Sequence, residues 1–325
     1  MKLDLRNVLL VMLLGVIVYG GLVVYAGLDE VANVMKTLEW GSVAFALLLS
    51  SANYGLRFFK WNYYLGKLGV AGIPKIDSLL VFLSGFVLTV TPAKVGEVFK
   101  CAVLAKTHGV ALERTAPIIV AERLTDVIAV VLLIAIGSVT FQGGLLWAAL
   151  GGAAVLIALL FIFWETPLNW LFRRLRTTWL ARFVPKLEAA YQELKVLVRP
   201  DALGFPSVLS IVGWGAEGYG LFVLLKGLGQ DVTAALSVFV YGTATLAGAL
   251  VPLPGGLGIA EALIQEQLVY IGGVTAAAAT ASMILIRIST LWWAVAVGFA
   301  ALALLRLRLG AQFLSGTAFP EQKRS

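Results

Sequence analysis

Two short stretches place helix-breaking residues and a glutamate inside long apolar regions, and they constrain this chain more than any other feature. The first, Thr91–Lys100, has the sequence TPAKVGEVFK, and the second, Val251–Glu261, has the sequence VPLPGGLGIAE. Proline and glycine interrupt helices, and charge is expensive inside a bilayer, so both are rare in such surroundings. Paired breaks of this kind are typical of discontinuous membrane helices that meet at a polar cavity.

The two stretches also share a spacing. Arg123 lies 26 positions after Glu97, and Arg287 lies 26 positions after Glu261. The shared distance predicts a duplicated unit. Spacing alone is weak support for a duplication, so the orientation of the two units is tested below with the distribution of basic residues, which was not used to find it.

Composition restricts the class of protein. Of 325 residues, 60% are hydrophobic and 13% charged, and the mean hydropathy is +0.93, which predicts one polytopic transmembrane domain over 1–325. The net charge of +7 is expected from cytoplasmic loops and predicts no nucleic-acid partner. With one cysteine, Cys101, and one histidine, His108, we expect no disulfide and no metal site, and no sequence feature indicates a cofactor.

Basic residues decide between two topologies. The segment 165–201 holds seven Lys and Arg residues, and it would lie outside the cell if both broken regions were full spans. If both are instead re-entrant hairpins, this segment and both termini lie inside, as the positive-inside rule requires. The prediction is therefore an all-α protein with about six full spans and two hairpins. The predicted spans are 7–28, 40–58, 116–136, 145–163, 206–228 and 276–305, and the hairpins are 76–105 and 235–271.

The predicted hairpins enter the membrane from opposite sides. The first lies in a repeat over about 40–136 and the second in a repeat over about 206–305. Each repeat has the order span, hairpin, span, which makes an inverted-topology repeat of the kind found in transporters.

The segment 165–201 predicts one or two amphipathic helices on the inner membrane surface. Aromatic residues such as Trp170 and Trp179 alternate there with arginines. An anchor to anionic lipid is one interpretation, and a docking site for a lipid-modifying or glycosyltransferase enzyme is the other.

Charged residues inside the apolar regions are candidates for a site that binds phosphate. Arginine matches a pair of phosphate oxygens, but each arginine may simply neutralise a glutamate and hold a hairpin to a span, and the two interpretations are compatible. Glycines at the second tip either expose N–H groups to an anion or only permit a tight turn. The substrate-binding candidates are Lys94, Glu97, Arg123, Gly255, Gly256, Gly258, Glu261 and Arg287. Candidates for proton coupling or structural pairing are Glu122, Asp126 and Glu217.

Motifs of known catalytic chemistry are not found in the sequence. The glycine run at the second tip lacks the GK[ST] ending of a nucleotide-binding loop, and neither G-x-S-x-G nor H-E-x-x-H occurs. We therefore predict no catalytic residues and no ATP binding.

These motifs together resemble the flippase-like transmembrane domain of lysylphosphatidylglycerol synthases, over nearly the whole chain. The matching residues are Arg57 with Lys60-Trp61, Pro92-Ala93-Lys94-Val95-Gly96-Glu97, Ala121-Glu122-Arg123-Leu124-Thr125-Asp126, and Pro254-Gly255-Gly256-Leu257-Gly258-Ile259-Ala260-Glu261 with Arg287. Where Lys94 stands, the family often has arginine. The resemblance implies movement of lipids or glycolipids between leaflets. No aminoacyl-transferase domain follows, so we expect no synthesis of lysyl lipid.

The leading hypothesis is a flippase of a bacterial or archaeal cytoplasmic membrane. It would move an anionic phospholipid or a polyprenyl-phosphate-linked glycolipid. The alternatives are an intramembrane enzyme that transfers a group to or from a lipid phosphate, and a scaffold that recruits a lipid-modifying enzyme.

Overall fold

The protein is helical throughout the part of the chain that the structure describes. This computed structural model describes residues 5–90, 95–138, 164–251 and 253–310, with isolated positions between 146 and 160. The helices are α1 Leu5–Ala26, α2 Leu28–Lys36, α3 Trp40–Lys67, α4 Lys75–Ser84, α5 Val95–His108, α6 Leu112–Ser138, α7 Glu165–Leu175, α8 Val184–Leu197, α9 Pro200–Gly227, α10 Ala234–Leu250, α11 Ile259–Tyr270, α12 Ala276–Arg287 and α13 Trp293–Leu309.

The first two helices meet at a sharp bend. α1 and α2 are inclined by 95° at Gly27, whose φ of 91° is a conformation that glycine adopts without strain. We expected an outer loop over 29–39, and this is wrong for most of that segment. It forms α2, with Asp29 and Glu30 in its first turn, where acidic side chains favour the helix dipole.

Two long apolar helices satisfy both the length and the hydropathy expected of a membrane span. They are α9 and the continuous rod Ala276–Leu309, in which a π-helical turn, Ile288–Trp292, joins α12 to α13. α3 and α6 have 28 and 27 residues, so at about 1.5 Å per residue they are long enough, but each carries several ionisable residues. The predicted span 145–163 lies largely outside the described residues. The number of spans and their orientation stay predictions.

Both predicted breaks fall between helices. The first separates a 3₁₀ turn, Gly85–Leu88, from α5, and its tip 91–94, including Lys94, lies outside the described residues. The second lies between α10 and α11. There Gly255, Gly256 and Gly258 have φ values of 61°, 70° and 90°. Because L residues other than glycine rarely adopt such angles, these positions require glycine for conformation alone.

Helix packing follows the predicted duplication. α3 packs most extensively against α9, and these are the first helices of the two repeats, each with 28 residues. α4 packs on α13, and its counterpart α10 packs on α6. The two helices of the segment 165–201 are α7 and α8, and α8 also lies against α6.

Equivalent points of the two repeats are separated by one constant interval. α5 and α11 begin 164 residues apart, at Val95 and Ile259, and α6 and α12 do so at Leu112 and Ala276. Gly109 and Gly273, which precede α6 and α12, also lie 164 residues apart, and both have positive φ, 68° and 63°. Glu97 and Glu261 have the same separation, as do Arg123 and Arg287. The match therefore extends from two motifs to the limits of helices.

Candidate functional site

A polar cavity of about 120 Å³ lies among the helices of both repeats. Its charged lining consists of four cations and two carboxylates among the described residues: Arg57, Lys100, Arg123, Arg287, Glu97 and Glu217. The backbone of Gly255 and Gly256, at the second tip, contributes to the same wall. Drug-sized ligands usually occupy about 300–1,000 Å³, so this space suits a polar group rather than a whole lipid.

Arg287 fastens the second tip to the rod. Its Nε donates to Glu261 Oε1 at 2.6 Å, and its Nη2 donates to the carbonyl oxygen of Gly255 at 2.8 Å. The other carboxylate oxygen, Glu261 Oε2, accepts from the backbone N–H of Gly258 at 2.7 Å, at the start of α11. Glu261 is fully buried and lies behind the cavity wall. The tip is therefore held by a charged clamp, as the structural interpretation of this pair expected.

Arg123 forms the corresponding pair in the first repeat, with a different second partner. Its Nη2 lies 2.9 Å from Glu97 Oε1 and 2.9 Å from Asp126 Oδ2, one turn along its own helix. Arg57 Nη2 lies 3.8 Å from the same Glu97 oxygen. Glu97 therefore stands between two arginines in the cavity wall. Both pairs predicted from the spacing of 26 are present.

Two buried lysines neutralise the acidic residues of α6. Lys60 Nζ lies 2.6 Å from Asp126 Oδ1 and 2.8 Å from Ser210 Oγ. Lys100 Nζ lies 2.5 Å from Glu122 Oε2, and 4.6 Å from the centre of the Trp61 ring. A buried charge that lost such a partner would be strongly destabilising, so these pairs fix α6 to α3 and α5.

Glu217 differs from the other carboxylates of the site. Its two oxygens accept hydrogen bonds from Asn53 Nδ2 at 2.6 Å and from the Tyr241 hydroxyl at 2.5 Å. Among the described residues no cation forms an ion pair with it. Beside it, the Tyr54 hydroxyl donates to the carbonyl oxygen of Thr290, inside the π-helical turn. Glu217 is thus the one lining carboxylate, in this part of the chain, that is held by neutral donors.

The structure brings most of the predicted site residues together. Glu97, Arg123, Gly255, Gly256 and Arg287 line the cavity. Gly258 and Glu261 support the second tip, Glu122 and Asp126 pair behind the wall, and Lys94 lies outside the described residues.

Sequence reasoning misplaced two basic residues. Arg57 and Lys60 were assigned to the cytoplasmic end of a span that closed at Phe58. The helix α3 instead continues to Lys67, Arg57 lines the cavity, and Lys60 is buried. A hydropathy window ends at the first charges, whereas the partners that make burial possible, Asp126 and Ser210, are distant in sequence.

Comparison with known families identifies the domain. Residues 12–298 match the family model described as lysylphosphatidylglycerol synthase TM region. This chain belongs to that family. The family is a lipid-related membrane domain, so the protein is a membrane protein whose partners are lipids, and its resemblance at the motifs above is confirmed.

Two archaeal relatives extend the match along most of the chain. A UPF0104 membrane protein of Pyrococcus horikoshii is 23% identical over 314 residues, covering 87% of this chain and 92% of its own. A UPF0104 membrane protein of Methanothermobacter thermautotrophicus is 21% identical over 319 residues, covering 88% of this chain and 90% of its own. The family match thus coincides with the part of the chain that contains the cavity and both hairpins.

Proposed function

We propose that the protein moves a lipid with a phosphate-bearing head group, an anionic phospholipid or a polyprenyl-phosphate-linked glycolipid, between the leaflets of the cytoplasmic membrane. The main support is the cavity, in which arginines from both repeats and the backbone of the second tip converge inside a lipid-related membrane domain.

The chemistry of the lining favours an anionic head group. Guanidinium groups donate parallel hydrogen bonds to phosphate oxygens, and three of the four lining cations are arginines. Phosphate that enters between Arg57 and Arg123 would take the position of the Glu97 carboxylate, which lies within 3.8 Å of both. Arg123 would keep its orientation because Asp126 holds it from the same helix.

The size of the cavity favours a head group alone. With about 120 Å³ available, the acyl or prenyl chains would remain in the surrounding membrane. Such an arrangement needs a polar path for the head group and no polar path for the chains.

The constant interval of 164 residues supports two rocking halves. Together with the distribution of basic residues, it favours an inverted-topology repeat, in which one hairpin enters from each side. Alternate opening of the halves around one central site would then move the head group across the bilayer. No nucleotide is required for such a cycle.

The test is translocation of labelled lipids in proteoliposomes. The probes are phosphatidylglycerol, a polyprenyl-phosphate sugar and a glycosyl diacylglycerol without phosphate. Wild type should move the phosphate lipids and not the neutral one. Arg123→Gln removes a hydrogen bond to a charged group, worth about 1.5–3 kcal/mol, so apparent affinity should fall roughly 10- to 100-fold.

A matched arginine serves as the control. Arg199 is exposed and forms a surface pair with Asp201, so Arg199→Gln should transport as wild type does. Wild-type flux no greater than that of empty liposomes, for every probe, would contradict the proposal. A change in the mass of the lipids would instead favour an intramembrane enzyme. If the purified protein lacks flux and deletion of 165–201 abolishes its role in cells, the scaffold is favoured.

A further inference from the structure

Two residues at equivalent positions of the repeats touch each other. Asn53 and Glu217 are 164 residues apart, the interval that relates α5 to α11 and α6 to α12, and Asn53 Nδ2 donates to Glu217 Oε1 at 2.6 Å. A two-fold operation exchanges equivalent residues, so an equivalent pair in contact must lie beside the axis. This contact is made by α3 and α9, the pair of helices with the most extensive packing.

The carboxylate near this axis also faces the cavity. Glu217 lines the space that Arg57, Arg123 and Arg287 line, so a head group held by those arginines would lie close to it. In two halves that rock about a central axis, a side chain beside the axis faces each side of the membrane in turn.

From this placement we infer that Glu217 carries the proton that accompanies the lipid, so that the transporter moves a phosphate head group and one proton in the same direction. The inference rests on the proposed function. Protonation of the carboxylate raises the charge of the site by one, and a bound phosphate lowers it by one. Because net charge is expensive in a membrane interior, each event favours the other.

The other carboxylates of the site are less suited to this role. Glu97 and Asp126 approach Arg123, Glu122 pairs with Lys100, and Glu261 pairs with Arg287. Protonation of any of them would leave a cation with one partner fewer. Glu217 is held by Asn53 and Tyr241, and an amide and a hydroxyl accommodate either protonation state because neither carries charge.

Ionisable groups on the neighbouring helices surround Glu217. They are Tyr54 and Arg57 on α3, Asp126 on α6, Tyr241 on α10, and Arg287 on α12 beyond Tyr241. All of these lie in or beside the cavity, so the proton and the phosphate would respond to one electrostatic environment.

The experiment counts protons during binding. Short-chain phosphatidylglycerol is titrated into the purified protein by calorimetry, at pH 5.5–8.5, in two buffers with different ionisation enthalpies. Wild type should take up about one proton per lipid over part of this range, and its affinity should fall by up to about tenfold per pH unit there. Glu217→Gln should take up none and should bind with a flat pH profile.

Two further variants separate this role from a structural one. Tyr241→Phe removes one donor, so it should retain proton uptake but move the midpoint of the pH profile. Glu266→Gln, on an exposed carboxylate of α11, should behave as wild type does. Wild-type binding without proton uptake, or a Glu217→Gln variant with the wild-type pH profile, would overturn the inference and leave the proposed function standing. Wild-type binding of no phosphate lipid at any pH would overturn both.

Discussion

Removal of Glu261 should be far more damaging than removal of Glu97, its counterpart in the first repeat. The Glu261 side chain is 0% exposed and that of its partner Arg287 is 11% exposed, whereas Glu97 and Arg123 are 17% and 27% exposed. After Glu97→Ala, Arg123 keeps Asp126 at 2.9 Å. After Glu261→Ala, Arg287 keeps only the carbonyl oxygen of Gly255 among its described hydrogen-bond partners.

The magnitudes follow from the contacts. A buried ion pair that loses one member costs about 3–5 kcal/mol, and loss of the acceptor for the Gly258 N–H at the start of α11 adds about 1 kcal/mol. Glu261→Ala should therefore cost about 4–6 kcal/mol. At the lower end of about 2 °C per kcal/mol for large proteins, this lowers the Tm by roughly 8–12 °C. Glu97→Ala, in a partly hydrated pair, should cost about 1 kcal/mol or less.

Two more variants check the origin of the effect. Glu261→Gln retains an oxygen that can accept from Gly258, so it should be about 1 kcal/mol less damaging than Glu261→Ala. The double variant Glu261→Gln with Arg287→Met removes both charges and should be more stable than Glu261→Gln alone, because no uncompensated buried charge remains.

The assay is thermal unfolding in detergent, followed by tryptophan fluorescence. All variants are heated at one scan rate because membrane proteins commonly unfold irreversibly. Equal Tm losses in Glu97→Ala and Glu261→Ala would refute the reasoning, since it assigns the clamp to the second tip alone. A double variant that unfolds at the temperature expected from adding its two single effects would refute the electrostatic explanation.

Three further predictions use the same assay. A Cβ on Gly213 would lie 2.2 Å from Asn53 Oδ1, so Gly213→Ala should cost about 1–3 kcal/mol, whereas Gly215→Ala, 3.7 Å from its nearest neighbour, should be neutral or slightly stabilising. Gly298→Ala should be worse than Gly213→Ala, because its Cβ would lie 2.5 Å from a backbone nitrogen of the first hairpin, which cannot rotate away. Burial lowers the pKa of His108, at the end of α5, below its usual 6.5, so the folded state binds fewer protons there than the unfolded state does. Stability should therefore be retained above pH 6.5 and should decline as the pH falls through the lowered pKa; a His108→Gln variant with an unchanged pH profile would contradict this.

Sequence reasoning found the parts of the fold that depend on local chemistry. Proline and glycine interrupt helices wherever they occur, so the breaks at the two stretches were predictable, and the aromatic and basic pattern of 165–201 predicted the helices α7 and α8. The Glu–Arg spacing of 26 predicted two ion pairs, and both form because a hairpin helix and the next span are antiparallel neighbours of fixed length.

What it missed depends on pairs of residues that are far apart in sequence. Arg57 and Lys60 carry the same charge as true interfacial residues, and only Asp126 and Glu97 distinguish them. Asn53 and Tyr241 are uncharged and give no signal in an apolar segment. One signal was available for Asn53: the interval of 164 residues, applied to Glu217, leads directly to it.

The same interval shows that the two half-sites have diverged in chemistry. The counterpart of Asp126 is Thr290, and the counterpart of Lys60 is Leu224, so the second repeat has no equivalent of the buried pair behind Arg123. Arg287 instead donates to the backbone of its own tip. An arginine that holds a tip in place is a poor ligand, because a phosphate would have to compete with the fold for its donors. Arg123 is oriented from behind by Asp126 and faces a carboxylate that is partly exposed. In the proposed cycle, the first repeat would therefore bind the phosphate and exchange it for Glu97, while the second repeat would keep its hairpin closed around the glycine tip.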